Sequence, residues 1–238
     1  ESTGTIKKRF DSIGVENTEE NRRDYREMLF RTQEAMNNHV SGVILFEETL
    51  HQKAKDGTPF VDLIKAAGAV PGIKADRGAF PLAGHSGETV TEGLDGLRER
   101  LIGYHEAGAR FAKWRAVITI SDELPTFGGI KANAHALARD ASLCKDVGIA
   151  PIVEPEVQMD GSPANHSIER CHEVTSATLK SVFDELYEQQ VMLEGIVLKP
   201  NMVVPGINAE RQPDADEVAN HTVSVLLRSV PAAVPGIA

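Results

Sequence analysis

No stretch of this 238-residue chain stays apolar over the roughly 18–20 residues that a membrane-spanning helix needs, so no bilayer span is expected. Cysteine is scarce. Cys144 and Cys171 are the only two, and both fall in stretches with helical patterning. That excludes a disulfide-built scaffold and fits reduced, packed thiols in a cytoplasmic protein. Positive charge is also short: 25 lysines and arginines face 35 aspartates and glutamates, a formal net charge of −10. Such a balance speaks against a nucleic-acid binder held by a basic surface. The opening Glu1-Ser-Thr-Gly has neither the basic head nor the apolar stretch of a signal peptide. There is no low-complexity tract, no Pro/Gly/Ser-rich linker and no Gly-x-Gly-x-x-Gly turn, which removes the usual mark of an open dinucleotide-binding sheet.

What is present is ordinary globular material, 41% hydrophobic and 25% charged, on a chain of 25.8 kDa that can bury a large core. Short strands rich in Val and Ile recur at Gly42-Val-Ile-Leu-Phe46, Gly72-Ile-Lys-Ala-Asp76, Phe111 to Val117, Ile149 to Glu154 and Gly195-Ile-Val-Leu-Lys199. They read as strands covered on both faces. Between them lie apolar stripes at helical spacing: Leu94, Leu97, Leu101 and Tyr104; Ala134, Leu137, Ala138, Ala141 and Cys144, stopped by Gly148; and Ile168, Cys171, Thr175, Leu179, Val182 and Leu186. Asn17 with Glu20 predicts a capped helix through Tyr25 and Met28, and a last helix is expected from Pro213–Asp216 onward.

Regular alternation of strand and helix implies parallel β with right-handed crossovers. The expected fold is α/β, a (β/α)8 TIM barrel forming a single domain over residues 1–238. Only five strands are clear, however. The chain opens on a loop-and-helix segment and ends on Val234-Pro-Gly-Ile-Ala238, which reads as the start of a strand. The expectation is therefore a barrel lacking its first strand and its last strands.

Charge gathers at the strand ends. Lys74 and Asp76, Lys113 and Arg115, and Glu154 and Glu156 are each two residues apart, and Lys199 closes the run Ile196-Val-Leu. Residues two apart in a strand share a face. Unpaired ions are costly to bury, whereas the carboxyl ends of barrel strands form an active-site mouth that accommodates them. The competing explanation is a set of internal salt bridges; charges of both signs on four neighbouring strands favour a site. The eight histidines (39, 51, 85, 105, 135, 166, 172 and 221) show no metal-ligand spacing, and none ends a strand, so no metal or other cofactor is expected. A lysine after Ile-Val-Leu, with Lys113 as a second cation, is different. Desolvation and nearby positive charge favour an uncharged amine able to attack a ketone, although a lysine reaching out to solvent would carry the same spacing.

At these residues the chain resembles the class I (Schiff-base) fructose-bisphosphate aldolases. The resemblance rests on Glu1-Ser-Thr-Gly, Glu16 to Arg23, Gly42 to Leu50, Gly72-Ile-Lys-Ala-Asp76, Gly93-Leu-Asp-Gly-Leu97, Phe111-Ala-Lys-Trp-Arg115, Pro151-Ile-Val-Glu-Pro-Glu156 and Leu193 to Met202, in the family's order. It implies that Lys199 is the Schiff-base lysine, Glu154 the general acid/base with Glu156 beside it, and Lys113 a lysine acting on the reacting centre. It further implies that Arg115 binds substrate, that Lys74 faces the distal phosphate, and that Ser2 and Thr5 offer hydroxyls to that phosphate. Arg9 and Arg22 match basic residues beside the cleft. By the same resemblance the partner is a small sugar phosphate, with no nucleic acid and no membrane, and the assembly is a homotetramer.

The family also has a strand ending in Asp ahead of Glu1, and a Ser-Gly-Gly loop, an arginine-bearing strand and a mobile tail after Ala238. On that comparison the 238 residues alone are expected to form an unclosed barrel with little or no activity. Two other readings stay open: another Schiff-base sugar-phosphate aldolase, and an inactive barrel serving as a scaffold.

Overall fold

The computed structural model describes residues 2–238; Glu1 lies outside the described residues. In chain order the elements are α1 (Thr3–Ser12), α2 (Glu19–Phe30), α3 (Gln33–His39), β1 (Gly42–Leu45), α4 (Glu47–His51), α5 (Phe60–Ala66), β2 (Val70–Lys74), β3 (Gly78–Pro81) and β4 (Thr89–Glu92). There follow α6 (Leu97–Glu106), β5 (Phe111–Ile118), α7 (Phe127–Asp146), β6 (Ala150–Val157), α8 (Ile168–Glu188), a 3-10 turn (Leu193–Gly195), β7 (Val197–Leu198) and α9 (Ala215–Ser229). β1, β2, β5, β6 and β7 each run parallel to a neighbour, and helices alternate with them. This is parallel α/β of the TIM-barrel kind, and among the described residues the strands do not close into a ring.

Two compact units can be distinguished. The first comprises the described residues up to Lys74 with Arg98–Lys113 and Val147–Ile149. Here β1 pairs with β2 (Gly42↔Val70 to Leu45↔Ile73), and β2 pairs with the start of β5 (Gly72↔Phe111, Ile73↔Ala112, Lys74↔Lys113). Glycine in a strand usually marks a close approach, and the cause is visible: a Cβ on Gly72 would stand 2.2 Å from the Phe111 ring, and one on Gly42 would stand 2.9 Å from it. The Phe111 ring therefore lies over two glycines. Phe60 and Ile64 of α5 are fully buried, and edge-to-face contacts Phe30–Phe60 (5.2 Å) and Phe10–Tyr25 (5.9 Å) complete the helical packing.

The second unit comprises Ala75–Leu97, Trp114–Asp146 and Ala150–Ala238. The rest of β5 lies beside β6, and β6 pairs with β7 through Ile152↔Val197 and Val153↔Leu198. Trp114, Ala116 and Ile118 are buried on one face of β5 while Arg115 and Val117 are part-exposed, the period-2 alternation of a strand. Ile118, Val157, Ile168, Cys171, Val174, Val203 and Val225 form one core cluster, onto which Val218 and Leu226 of α9 pack. Both cysteines are free and buried, and burial pushes the thiol of each up. Next to β7, Ile237 bridges Leu198 in parallel, so the last residues do begin to pair as a strand.

Several boundaries differ from expectation: β5 runs on to Ile118 and β6 to Val157, so Lys113, Arg115, Glu154 and Glu156 lie within strands, and β7 is only Val197–Leu198. The cap of α2 is Thr18, whose side chain accepts from the Asn21 N–H, while Asn17 instead accepts from Arg22. Asp76 lies beyond the end of β2, so it does not share a strand face with Lys74; its carboxylate accepts from the backbone N–H of Gly78 at 3.1 Å. The β3–β4 hairpin (Gly78↔Glu92 to Pro81↔Thr89) adds two strands to the five that the sequence predicts.

Candidate active site

Parallel pairing of β6 with β7 sets the central geometry. Because Val153 pairs with Leu198, the next residues along, Glu154 and Lys199, stand opposite each other where β7 ends. The Lys199 N–H donates to the Val153 carbonyl at 2.8 Å, which extends the tie by one residue. Alternation turns both side chains to the same face, and Lys199 Nζ donates to Glu154 Oε1 at 2.6 Å. The Glu154 side chain is 6% exposed and that of Lys199 is 42% exposed. The apolar run before Lys199 suggested a more deeply desolvated amine. The structure corrects this, because Lys199 lies past the end of a strand only two residues long, and the group found against its amine is a carboxylate.

Asn201 holds this strand end in place, and nothing in the spacing of charges pointed to it. Its Oδ1 accepts from the Val157 N–H at 3.1 Å, and its Nδ2 donates to Thr175 Oγ1 at 3.0 Å and to the Met202 carbonyl at 2.9 Å. The segment after Lys199 is thereby tied to the end of β6 and to α8. The only sequence signal was a lone amide two residues after the lysine, in Lys-Pro-Asn.

One strand away, Arg115 and Glu156 form a forked pair, Nε to Oε2 at 2.6 Å and Nη2 to Oε1 at 2.8 Å. That hydrogen bonding, with the nearby carboxylate charges, raises the guanidinium above its ordinary value and keeps it cationic. Of the charges expected at strand ends, these four therefore pair as Lys199 with Glu154 and Arg115 with Glu156.

In the first unit, Lys74 at the end of β2 and Lys113 inside β5 are register partners on adjacent strands, which places their backbones about 4.8 Å apart. Both are part-exposed. Ser2 is the N-cap position of α1, and its hydroxyl lies 3.0 Å from that of Thr5. Ser2, Thr5 and Arg9 are spaced three and four apart, which is one face of a helix, and Thr5 and Arg9 are exposed. Two hydroxyls at a helix N-terminus with a cation a turn behind suit an anionic group. Arg22 is placed otherwise. Its Nε and Nη2 go to Glu48 and its Nη1 to Asn17, and Arg26 joins Glu48 at 2.7 Å and Gln52 at 2.7 Å. The Arg22 hydrogen bonds to Glu48 hold its guanidinium above the usual value and hold the carboxylate below its own.

Among the described residues no helix is long and apolar enough to cross a membrane. The arrangement at β6 and β7 offers an amine, a carboxyl group within proton-transfer distance and a cationic fork on the neighbouring strand. That set can form and break an imine.

Comparison with known proteins identifies the family. The family model for class-I fructose-bisphosphate aldolase matches residues 1–238. The chain is 58% identical over 237 residues to a probable class 1 fructose-bisphosphate aldolase of Xanthomonas axonopodis pv. citri, covering 100% of this chain and 70% of that protein. It is 56% identical over 238 residues to the cytosolic fructose-bisphosphate aldolase 6 of Arabidopsis thaliana, covering 100% of this chain and 65% of that one. Among solved structures, a fructose-bisphosphate aldolase from Plasmodium falciparum, crystallised with TRAP and a small-molecule inhibitor, superposes with a TM-score of 0.96 at 48% identity, covering 100% of this chain and 68% of that one.

Proposed function

The chain belongs to the class-I fructose-bisphosphate aldolase family, and from that premise we propose that it cleaves fructose 1,6-bisphosphate reversibly, through an imine on Lys199, in glycolysis and gluconeogenesis. The observation that carries the mechanism is the 2.6 Å contact between Lys199 Nζ and Glu154 Oε1.

A proton passing across that contact leaves a free amine beside a neutral acid. The amine adds to the C2 carbonyl of the open-chain sugar, and the resulting carbinolamine loses its hydroxyl as water, taking the proton from Glu154. A protonated imine and a carboxylate remain. The carboxylate takes the C4 hydroxyl proton, the C3–C4 electron pair flows into the imine, and glyceraldehyde 3-phosphate leaves. The enamine is then protonated at C3, which balances the proton removed at C4. Hydrolysis releases dihydroxyacetone phosphate and restores the lysine.

The remaining roles are carried over from the family. Arg115, positioned by Glu156, binds substrate; Lys113 acts at the reacting centre; Lys74, Ser2 and Thr5 serve the distal phosphate, and Arg9 is a basic residue beside the cleft. They supply the local positive charge that a total of −10 otherwise denies a bisphosphate. Arg22, matched to a basic residue beside the cleft, also holds Glu48 and Asn17 through its nitrogens. A cytoplasmic homotetramer is proposed on the family alone, and sedimentation would read the assembly.

The direct test is borohydride reduction in the presence of dihydroxyacetone phosphate. The wild-type chain gains a stable covalent adduct, and Lys199→Ala gains none. Undiminished trapping in Lys199→Ala removes the assignment.

A further inference from the structure

Three potential metal ligands converge where α8 and α9 begin, with a second histidine against one of them, and none of the four takes part in the Lys199–Glu154 pair. Glu169 and His172 lie three apart in the first turns of α8; Glu217 and His221 lie four apart in the first turns of α9. Each spacing puts its pair on one helix face. Packing of the two helices then brings the faces together. Ligand atoms of Glu169, Glu217 and His221 all lie within 4.8 Å of one another. His172 Nδ1 is 3.3 Å from His221 Nδ1, with the rings edge-to-face and their centroids 5.3 Å apart.

That nitrogen spacing is informative. A tetrahedral zinc ion with bonds of about 2.0–2.1 Å sets its ligand atoms about 3.3 Å apart. The two imidazole nitrogens therefore already stand at the separation the ion demands, and the carboxylates close on it by a change of glutamate rotamer. We infer that Glu169, His172, Glu217 and His221 form a zinc site that clamps the start of α8 to the start of α9.

Donor chemistry selects the ion. Two imidazoles with two carboxylates suit zinc, whereas magnesium and calcium prefer all-oxygen shells. One interaction competes: Arg211 grips Glu217 with both terminal nitrogens, Nη1 to Oε1 at 2.7 Å and Nη2 to Oε2. On zinc binding Glu217 turns one oxygen to the metal and Arg211 keeps the other, the usual place of an outer partner to a ligating carboxylate. The individual histidines show no metal motif along the chain, because the motif is split between two helices 49 residues apart at the His172–His221 contact.

The test is calorimetric titration of chelator-treated protein with ZnCl2, run beside MgCl2, on the wild type and on His172→Ala, His221→Ala and the double variant. The wild type takes up one saturable equivalent of zinc and no magnesium. Each single variant loses about 10-fold or more in affinity, at least what supporting partners of a metal site are worth. Zinc raises the melting temperature of the wild type and not of the double variant. Cleavage of fructose 1,6-bisphosphate without zinc is the same in all four proteins. If a histidine variant loses its circular-dichroism signal, Glu169→Gln, at an exposed position, replaces it. Absence of saturable zinc uptake, equal affinity in the double variant, or equal uptake of magnesium overturns the proposal.

Discussion

Glu154 and Glu185 are chemically the same arrangement in two places. Each is a carboxylate shut away from water, with side-chain exposures of 6% and 2%, and each is reached by a lysine that is nearly half-exposed, Lys199 at 2.6 Å and Lys131 at 2.5 Å. Their settings differ. Glu185 lies inside α8 facing α7, and His135, one helical turn beyond Lys131, closes it with an Nδ1 contact of 2.9 Å. Glu154 lies on β6 opposite the carboxyl end of the parallel strand β7. A lysine on a buried glutamate is therefore no sign of chemistry by itself. Between helices it ties two outer elements together; at strand ends it stands where barrel enzymes build their sites.

The sharpest way to break the comparison is to remove each lysine. Lys199→Ala should lower cleavage of fructose 1,6-bisphosphate by about 10⁴-fold or more, as loss of a nucleophile does. Lys131→Ala should stay within about twofold, as surface changes do. Equal losses in the two would erase the distinction. Next come the carboxylates. Glu154→Gln should lower kcat by about 10²–10⁴-fold, the contribution of a positioned acid/base, while Glu185→Gln leaves kcat unchanged in the same assay.

Acid unfolding should separate the pair in the opposite sense. Burial pushes the Glu185 carboxyl up, but hydrogen bonds and charge from Lys131 and His135 outweigh it, and the group ends below its ordinary value of 4.5. A depressed folded value means that stability is present above the ordinary value and is lost as pH falls through the lower one. Melting temperatures taken from pH 7 downward should therefore fall below about pH 4.5 in the wild type, and fall less steeply in Glu185→Gln. The smallest effect is expected at Ser167, whose hydroxyl caps α8 by accepting from the Arg170 N–H at 3.2 Å. Ser167→Ala should cost about 1 kcal/mol in a urea titration and leave cleavage unchanged, showing that weakening α8 as a whole does not reach the Lys199 site.

Much of this was legible along the chain, and the gaps have physical causes. β1, β5 and β6 fall where runs of Val, Ile and alternating residues predict them, and α7 and α8 follow their apolar stripes. The hairpin β3–β4 escaped notice because its strands have four residues each, contain or follow Gly, Pro and Thr, and show no clean alternation. α3, α4 and α5, of seven, five and seven residues, are too short to show a stripe. At the site, the positions of Lys199, Glu154, Arg115 and Glu156 were visible as charges ending apolar runs. Asn201 was not, because an uncharged amide has no periodic signature and its role exists only through Val157 and Thr175.

By itself the sequence determined the kind of fold, the strands that carry charge and the family. Each of these depends on local periodicity or on the order of segments, and both are written along the chain. Which carboxylate meets which cation was decided only in three dimensions. Lys199 reaches Glu154, 45 residues away, because Val153 pairs with Leu198, and a one-residue shift of that register would turn both side chains to the opposite face. The meeting of His172 with His221 likewise follows from the packing of α8 on α9. Partners of this sort are set by register and helix contact, which no local pattern encodes.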